Sequence, residues 1–146
     1  MSYFAQISGQ PDAVRQLEAA LNRPVHAYLF VGPAGSGKHR AALAFSAALL
    51  NDDRALKGVH PDVVVVEREG ASISVAQARE ISRMAARSPL EGARKVLILN
   101  DFHLVSDAAP ALLKTIEEAS ESTTFVVLAE SVPHDLVTVA SRCVRI

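Results

Sequence analysis

Tyr28-Leu29-Phe30-Val31-Gly32-Pro33-Ala34-Gly35-Ser36-Gly37-Lys38-His39 decides the fold of this chain. A short apolar run of aromatic, leucine and β-branched residues stops at Val31, the three glycines Gly32, Gly35 and Gly37 follow, and an Ala/Leu-rich stretch from Ala41 to Leu50 comes after Lys38. Strand, glycine loop and helix, in that order, let backbone N–H groups turn inward around phosphate oxygens at a helix N-terminus, with the lysine reaching the outer phosphates. Gly32 to Lys38 reads as a P-loop, the alternative being an ordinary glycine-rich turn in an α/β domain. His39 stands where a Ser or Thr hydroxyl would ligate Mg²⁺. That ion takes hard oxygen ligands in a tight octahedron, which an imidazole nitrogen serves poorly. The loop is therefore expected to hold phosphate without hydrolysing it.

Further apolar runs lie at Val63 to Val66, Val96 to Leu99 and Phe125 to Leu128, with a short Val144-Arg145-Ile146 at the end. Near-continuous apolar strands imply burial on both faces. Helical patterns occupy Pro11 to Leu21, His39 to Leu50, Val75 to Arg87 and Asp107 to Ala119. Strands alternating with helices predict a three-layer α/β P-loop domain with a five-stranded parallel sheet. Ser74 with Gln77 three residues later predicts a capping box on the third helix, which Pro89 to Gly92 ends. Residues 1–146 make one domain, and the apolar ending predicts a piece of a longer protein, unless the last strand simply completes the sheet.

With 146 residues, 49% of them hydrophobic, the chain can bury one substantial core. Its net charge of −1 leaves any nucleic-acid contact to local patches. Cys143 is the sole cysteine, so neither a disulfide framework nor a cysteine zinc site can form within the chain. The five histidines have no metal-ligand spacing. No basic segment followed by an apolar one opens the chain, and Ala41 to Leu50 is about half a membrane span. A soluble, cytoplasmic protein is expected.

After Val96 to Leu99, Asn100-Asp101 occupies the place of the acidic motif that holds magnesium and activates water in P-loop ATPases. An amide lacks the charge, and Asp101 would point to the opposite face of a regular strand. The alternative is that both residues simply end the strand and start a turn. Arg79, Arg83 and Arg87 fall at i, i+4 and i+8, either a stripe that tracks DNA phosphates or a solvated helix face.

Four segments in order carry a resemblance over nearly the whole chain: Ile7-Ser8-Gly9-Gln10, His26-Ala27-Tyr28-Leu29-Phe30 before the P-loop, Ala111 to Glu118, and Ser141-Arg142-Cys143. Together they resemble the bacterial DNA polymerase III clamp-loader subunits of the AAA+ family. His60-Pro61-Asp62-Val63 and Pro89-x-x-Gly92 point toward the delta-prime branch more than toward the gamma/tau motor branch. Pro110 stands where relatives usually have Asn, a change that a helix start tolerates.

The resemblance implies an AAA+ (RecA-like) core normally followed by lid and collar domains. The first segment would border the adenine pocket, and Gly32, Pro33, Ala34, Gly35, Ser36, Gly37, Lys38 and His39 would form a degenerate phosphate loop. Asn100 and Asp101 would form a degenerate acidic motif, and Ser131 would take the γ-phosphate sensor position with Glu130 beside it. Arg142 is implied as an arginine finger onto a neighbour's ATP; read alone, it is a surface arginine pairing with a carboxylate. ATP or ADP would be held weakly or not at all. Asn51 to His60 lacks the cysteines of the zinc module common in relatives, so zinc is not expected. Implied partners are the gamma/tau and delta subunits, primed DNA and, indirectly, the sliding clamp, with no membrane. The leading expectation is a stator with little or no ATPase of its own. The rival readings are a gamma/tau-like ATP-hydrolysing motor and a stand-alone P-loop phosphotransferase.

Overall fold

The computed structural model describes residues 3–7, 9–22, 24–105 and 107–146, so Ser8 of the first resemblance segment lies outside the described residues. The helices are α1 (Pro11–Ala20), α2 (Lys38–Leu50), α3 (Val75–Ala86), α4 (Ala109–Glu118) and the short α5 (Val137–Ala140). The strands are β1 (Ala27–Val31), β2 (Val63–Val66), β3 (Lys95–Leu99), β4 (Thr123–Ala129) and β5 (Val144–Arg145). Every strand pairs in parallel, in the spatial order β2-β3-β4-β1-β5. Each element expected from the apolar pattern is present, with ends within two residues of those expected.

Parallel strands covered on both faces divide their side chains between two cores. Ala27, Leu29, Leu97, Leu99, Phe125, Val127 and Ala129 face one way, against α3, α4 and α5 residues such as Ile81, Leu112, Ile116 and Val139. Tyr28, Phe30, Val96, Ile98, Val126 and Leu128 face the other way, against Leu17 of α1 and Ala42, Ala44, Phe45 and Ala47 of α2. The period of two along each strand thus becomes two layers of helices. Tyr28 and Phe45 meet edge to face with ring centroids 4.8 Å apart, which ties α2 to β1.

Polar anchoring accounts for the differences from the expected pattern. β4 starts at Thr123 because Thr123 and Thr124 are fully buried and bonded: Thr123 Oγ1 donates to the Ala85 carbonyl at 3.2 Å, and Thr124 Oγ1 accepts from Arg94 Nη1 at 2.6 Å. The capping box at α3 forms by half. Ser74 Oγ accepts from the Gln77 N–H at 3.1 Å, but the Gln77 side chain donates to the Glu67 carbonyl instead of reaching back. α3 ends at Ala86, and Arg87 is extended (ψ 146°). Lys95, buried at the start of β3, donates its Nζ to the Met84 and Arg87 carbonyls and so satisfies acceptors that a helix end leaves open. Its burial lowers the lysine pKa. Arg87 therefore leaves the helical stripe expected for Arg79 and Arg83.

Candidate nucleotide site and its surroundings

β1 delivers the chain to the centre of the sheet edge, where Gly32 N–H still bonds to the Ala129 carbonyl at 3.1 Å before the loop opens. Three positions in the loop favour glycine, one of them Gly35 with φ +81°. A Cβ on Gly32 would stand 2.6 Å from Ser36 Oγ, and Gly37, the residue before α2, has φ +87°. The Gly37 conformation lets the chain enter the helix directly, with Ala41 N–H bonding to the Gly37 carbonyl at 2.9 Å. Ser36 Oγ is buried and has no hydrogen-bond partner among the described residues. An orphaned hydroxyl in a glycine cradle at a helix N-terminus suits phosphate oxygens.

Two adjoining clefts open on this loop. One, of about 180 Å³, is lined mainly by Ile7, Leu17, Phe30, Pro33, Ala41 and Ile146, an apolar wall suited to a flat ring system beside the phosphates. The other, of about 560 Å³, joins Gly35 to Arg40 with Asn100 and Asp101. Ile7 lines both clefts, so the first resemblance segment does reach the loop. Lys38 Nζ lies over the loop, donating to the Pro33 carbonyl at 3.4 Å.

The surroundings of Asn100 and Asp101 explain why this cleft fits phosphate better than magnesium. β3 ends at Leu99, and Asp101 takes a left-handed conformation (φ 60°) at the head of the 3-10 turn Phe102–Leu104, so the two residues do end the strand and start a turn. Asn100 donates its Nδ2 to Glu67 Oε1 at 2.8 Å. Asp101 has the Arg68 guanidinium 3.7 Å away. Of the two carboxylates here, Glu67 is bonded by Asn100 and Asp101 is faced by a cation from its own chain, and His39, exposed on the first turn of α2, supplies no oxygen ligand. The expected opposite-face geometry of Asp101 does not apply, because the strand has already stopped.

Other expected site residues lie elsewhere. Glu130 and Ser131 are both exposed after β4 and do not line either cleft. His103 Nδ1 accepts the Glu130 N–H at 3.1 Å, and the Glu130 carboxylate lies 3.8 Å from His103 Nε2, so it is turned toward that ring. Arg79, Arg83 and Arg87 are exposed, and Arg83 pairs with Glu80 at 2.5 Å on its own helix. Arg142 is exposed after α5, its Nε 3.8 Å from Glu117 Oε2.

One polar cluster joins two segments that the sequence shows only as separate motifs. Asp62 is almost completely buried, and its carboxylate accepts three backbone N–H groups, from Leu90 at 2.5 Å, Glu91 at 3.0 Å and Gly92 at 2.9 Å. Burial pushes its pKa up, but the three N–H donors together outweigh burial and the net shift is downward. The two motifs His60-Pro61-Asp62 and Pro89-x-x-Gly92, separate along the chain, are therefore two halves of one contact. Beside it Arg54 Nη2 bridges Asp52 Oδ2 at 2.9 Å and Glu91 Oε2 at 2.5 Å.

Asp52, His60 and Glu91 offer ligand atoms within 4.8 Å of one another, the spacing of a metal site. The hydrogen bonds argue against a metal. His60 Nδ1 accepts the Asp62 backbone N–H at 2.9 Å, so a neutral ring carries its proton on Nε2, the atom facing the carboxylates. Arg54 already supplies the positive charge. Its bonds hold the Asp52 carboxyl down from 3.8 to about 2, and hold Glu91 below its ordinary value. Because the unfolded chain takes up these protons first as pH falls, the cluster supports folding above its unfolded pKa near 3.8 and loses that support on the way down to about 2. Thermal midpoints measured across that window are expected to fall, and to fall less steeply in Arg54→Ala.

Among the described residues no helix is long and apolar enough to cross a membrane. The family model described as "DNA polymerase III, delta subunit" matches residues 9–146. The chain is 35% identical to DNA polymerase III subunit tau of Bacillus subtilis over 97% of its length and 28% of that protein. It is 31% identical to DNA polymerase III subunit delta' of the same organism, over 92% of this chain and 46% of that one. Against subunit delta' of Pseudomonas aeruginosa the identity is 35%, over 82% and 42% respectively. The chain thus spans less than half the length of these relatives. A solved gamma subunit-related protein of Thermotoga maritima superposes with a TM-score of 0.76 over 91% of this chain and 44% of that one, at 24% identity, so the two share a fold.

Proposed function

This chain belongs to the family of DNA polymerase III delta' and tau/gamma subunits, and on that premise we propose that it acts as a delta-prime-like stator of the clamp loader in DNA replication. In this reading it binds a nucleotide phosphate weakly, does not hydrolyse it, and presents Arg142 to ATP held by a neighbouring gamma/tau subunit. The finished assembly would place the sliding clamp on primed DNA.

The observation that carries this reading is the pairing at the end of β3. Asn100 is bonded to Glu67 and Asp101 is faced by Arg68, while the glycine loop runs through a left-handed Gly37 into α2. Hydrolysis by a P-loop enzyme needs a metal shell and a positioned water. Here both acidic positions are altered or occupied, and His39 replaces the hydroxyl. The arginine after α5 remains exposed for use outside the chain.

If phosphate binding rests on the cradle alone, a titration with a fluorescent ADP gives the same Kd, within about threefold, with Mg²⁺ or with EDTA; a difference that small is under about 0.7 kcal/mol. Tighter binding by tenfold or more with Mg²⁺, together with steady ATP turnover by the full-length protein alone, would establish the motor reading instead. The 35% identity to a tau subunit keeps that second reading in play. Arg79 and Arg83, exposed on α3, are the residues proposed to approach DNA phosphates, with Arg87 adding charge from beyond the helix end.

A further inference from the structure

Ser141-Arg142-Cys143 has an internal geometry that the outward role of its arginine alone does not explain. Ser141 Oγ donates to the Thr138 carbonyl at 2.6 Å and accepts Arg142 Nη1 at 3.3 Å. The Cys143 thiol, half-buried, donates to the Val139 carbonyl at 3.4 Å, and burial pushes its pKa up to about 11, so it stays a donor at neutral pH. The residues on either side of Arg142 are thus tied to the last carbonyls of α5. Across from them, Glu117 near the end of α4 places Oε2 3.8 Å from Arg142 Nε. α4 and α5 share one apolar layer through Leu112, Ile116 and Val139, with Ala140 and Cys143 packed on it.

A guanidinium presents its donors in a planar fork. Ser141 Oγ accepts from Nη1 and the Glu117 carboxylate lies at ion-pair distance on the Nε side, so the guanidinium is biased from two sides. Nη1 keeps a second N–H and Nη2 carries two, the donors that phosphate oxygens would take. We propose that Glu117 is a positioning residue: it holds Arg142 by the Nε side so that these donors are presented to the phosphate of a nucleotide on a neighbouring chain. This rests on the reading of Arg142 given above. Exposed ion pairs of this kind add little to folding, so the contact matters through orientation, where an offset of about 1 Å can cost up to a hundredfold in rate.

The test uses the full-length protein assembled with its partner subunits and supplied with primed DNA. Glu117→Ala is expected to lower the DNA-stimulated kcat for ATP about five- to twentyfold while the KM stays within about twofold and the thermal midpoint of the subunit is unchanged. Glu117→Asp is expected to recover most of that loss. In an Arg142→Ala background Glu117→Ala should add nothing, since it acts only through the arginine. Wild-type or raised kcat in Glu117→Ala overturns the proposal, and so does an equal loss in the Arg142→Ala background. If Arg142→Ala itself leaves kcat unchanged, the reading of Arg142 fails; if it lowers kcat and Glu117→Ala does not, only the role of Glu117 fails.

Discussion

Arg142→Ala in the assembled complex is expected to slow hydrolysis at the neighbouring ATP site proposed for it by about 10³-fold, the low end of what a trans-acting arginine contributes to phosphoryl transfer. The charge that develops on the transferred group is spread over three oxygens, and a guanidinium offers paired donors in the plane those oxygens require. Lysine cannot reproduce the fork, so Arg142→Lys should recover little. The side chain is exposed and its one ion pair is long, so the variant should keep its fold and its melting temperature. Single-turnover ATPase of the complex on primed DNA reads the effect. A rate at the wild-type level would remove the finger role.

Asp62→Ala should have the largest effect on stability, a loss of about 3–5 kcal/mol. The deletion strands three backbone N–H groups of the 90–92 turn that the buried carboxylate now accepts. It also removes a favourable charge acting on the buried Lys95, which caps α3. Turn, strand start and helix end are therefore loosened together. Asp62→Asn keeps one acceptor oxygen at similar volume and should cost less, about 1–2 kcal/mol. Urea denaturation of both variants measures this, and a loss under about 1 kcal/mol in Asp62→Ala would mean that the turn finds other partners.

Patterns that depend on neighbours along the chain are legible in the sequence itself. Val63 to Val66 and Val96 to Leu99 are apolar without interruption, and both are strands of the parallel sheet with side chains in the two cores. The glycine spacing of Gly32 to Lys38 is a local property of backbone conformation, and Gly35 and Gly37 take the left-handed conformations that lead the chain into α2. Contacts between distant segments are not legible in this way. Nothing near Asp62 announces that its carboxylate meets a turn almost thirty residues on, although both segments stand out as motifs. Spacing alone puts Arg87 on a helical face, yet Lys95, a residue outside the helix, draws on the Met84 and Arg87 carbonyls where α3 gives way to extended chain. Asp101 likewise turns on a left-handed residue that alternation along a strand cannot anticipate. α5 is a single turn, too short to show a period.

β1 leads into the glycine loop and stands between β4 and β5, with Ala27 paired to Phe125 and Tyr28 to Val144. Both of its neighbours come from much later in the chain. During synthesis, at about 5–20 residues per second, β1 waits roughly 5–20 s for its first partner. Until then Tyr28, Leu29 and Phe30 have no strand on either side, and the loop has no floor to stand on. The same topology that centres the loop in the finished sheet keeps it open until β4 has been made, and leaves an aromatic, apolar strand without strand partners for that interval.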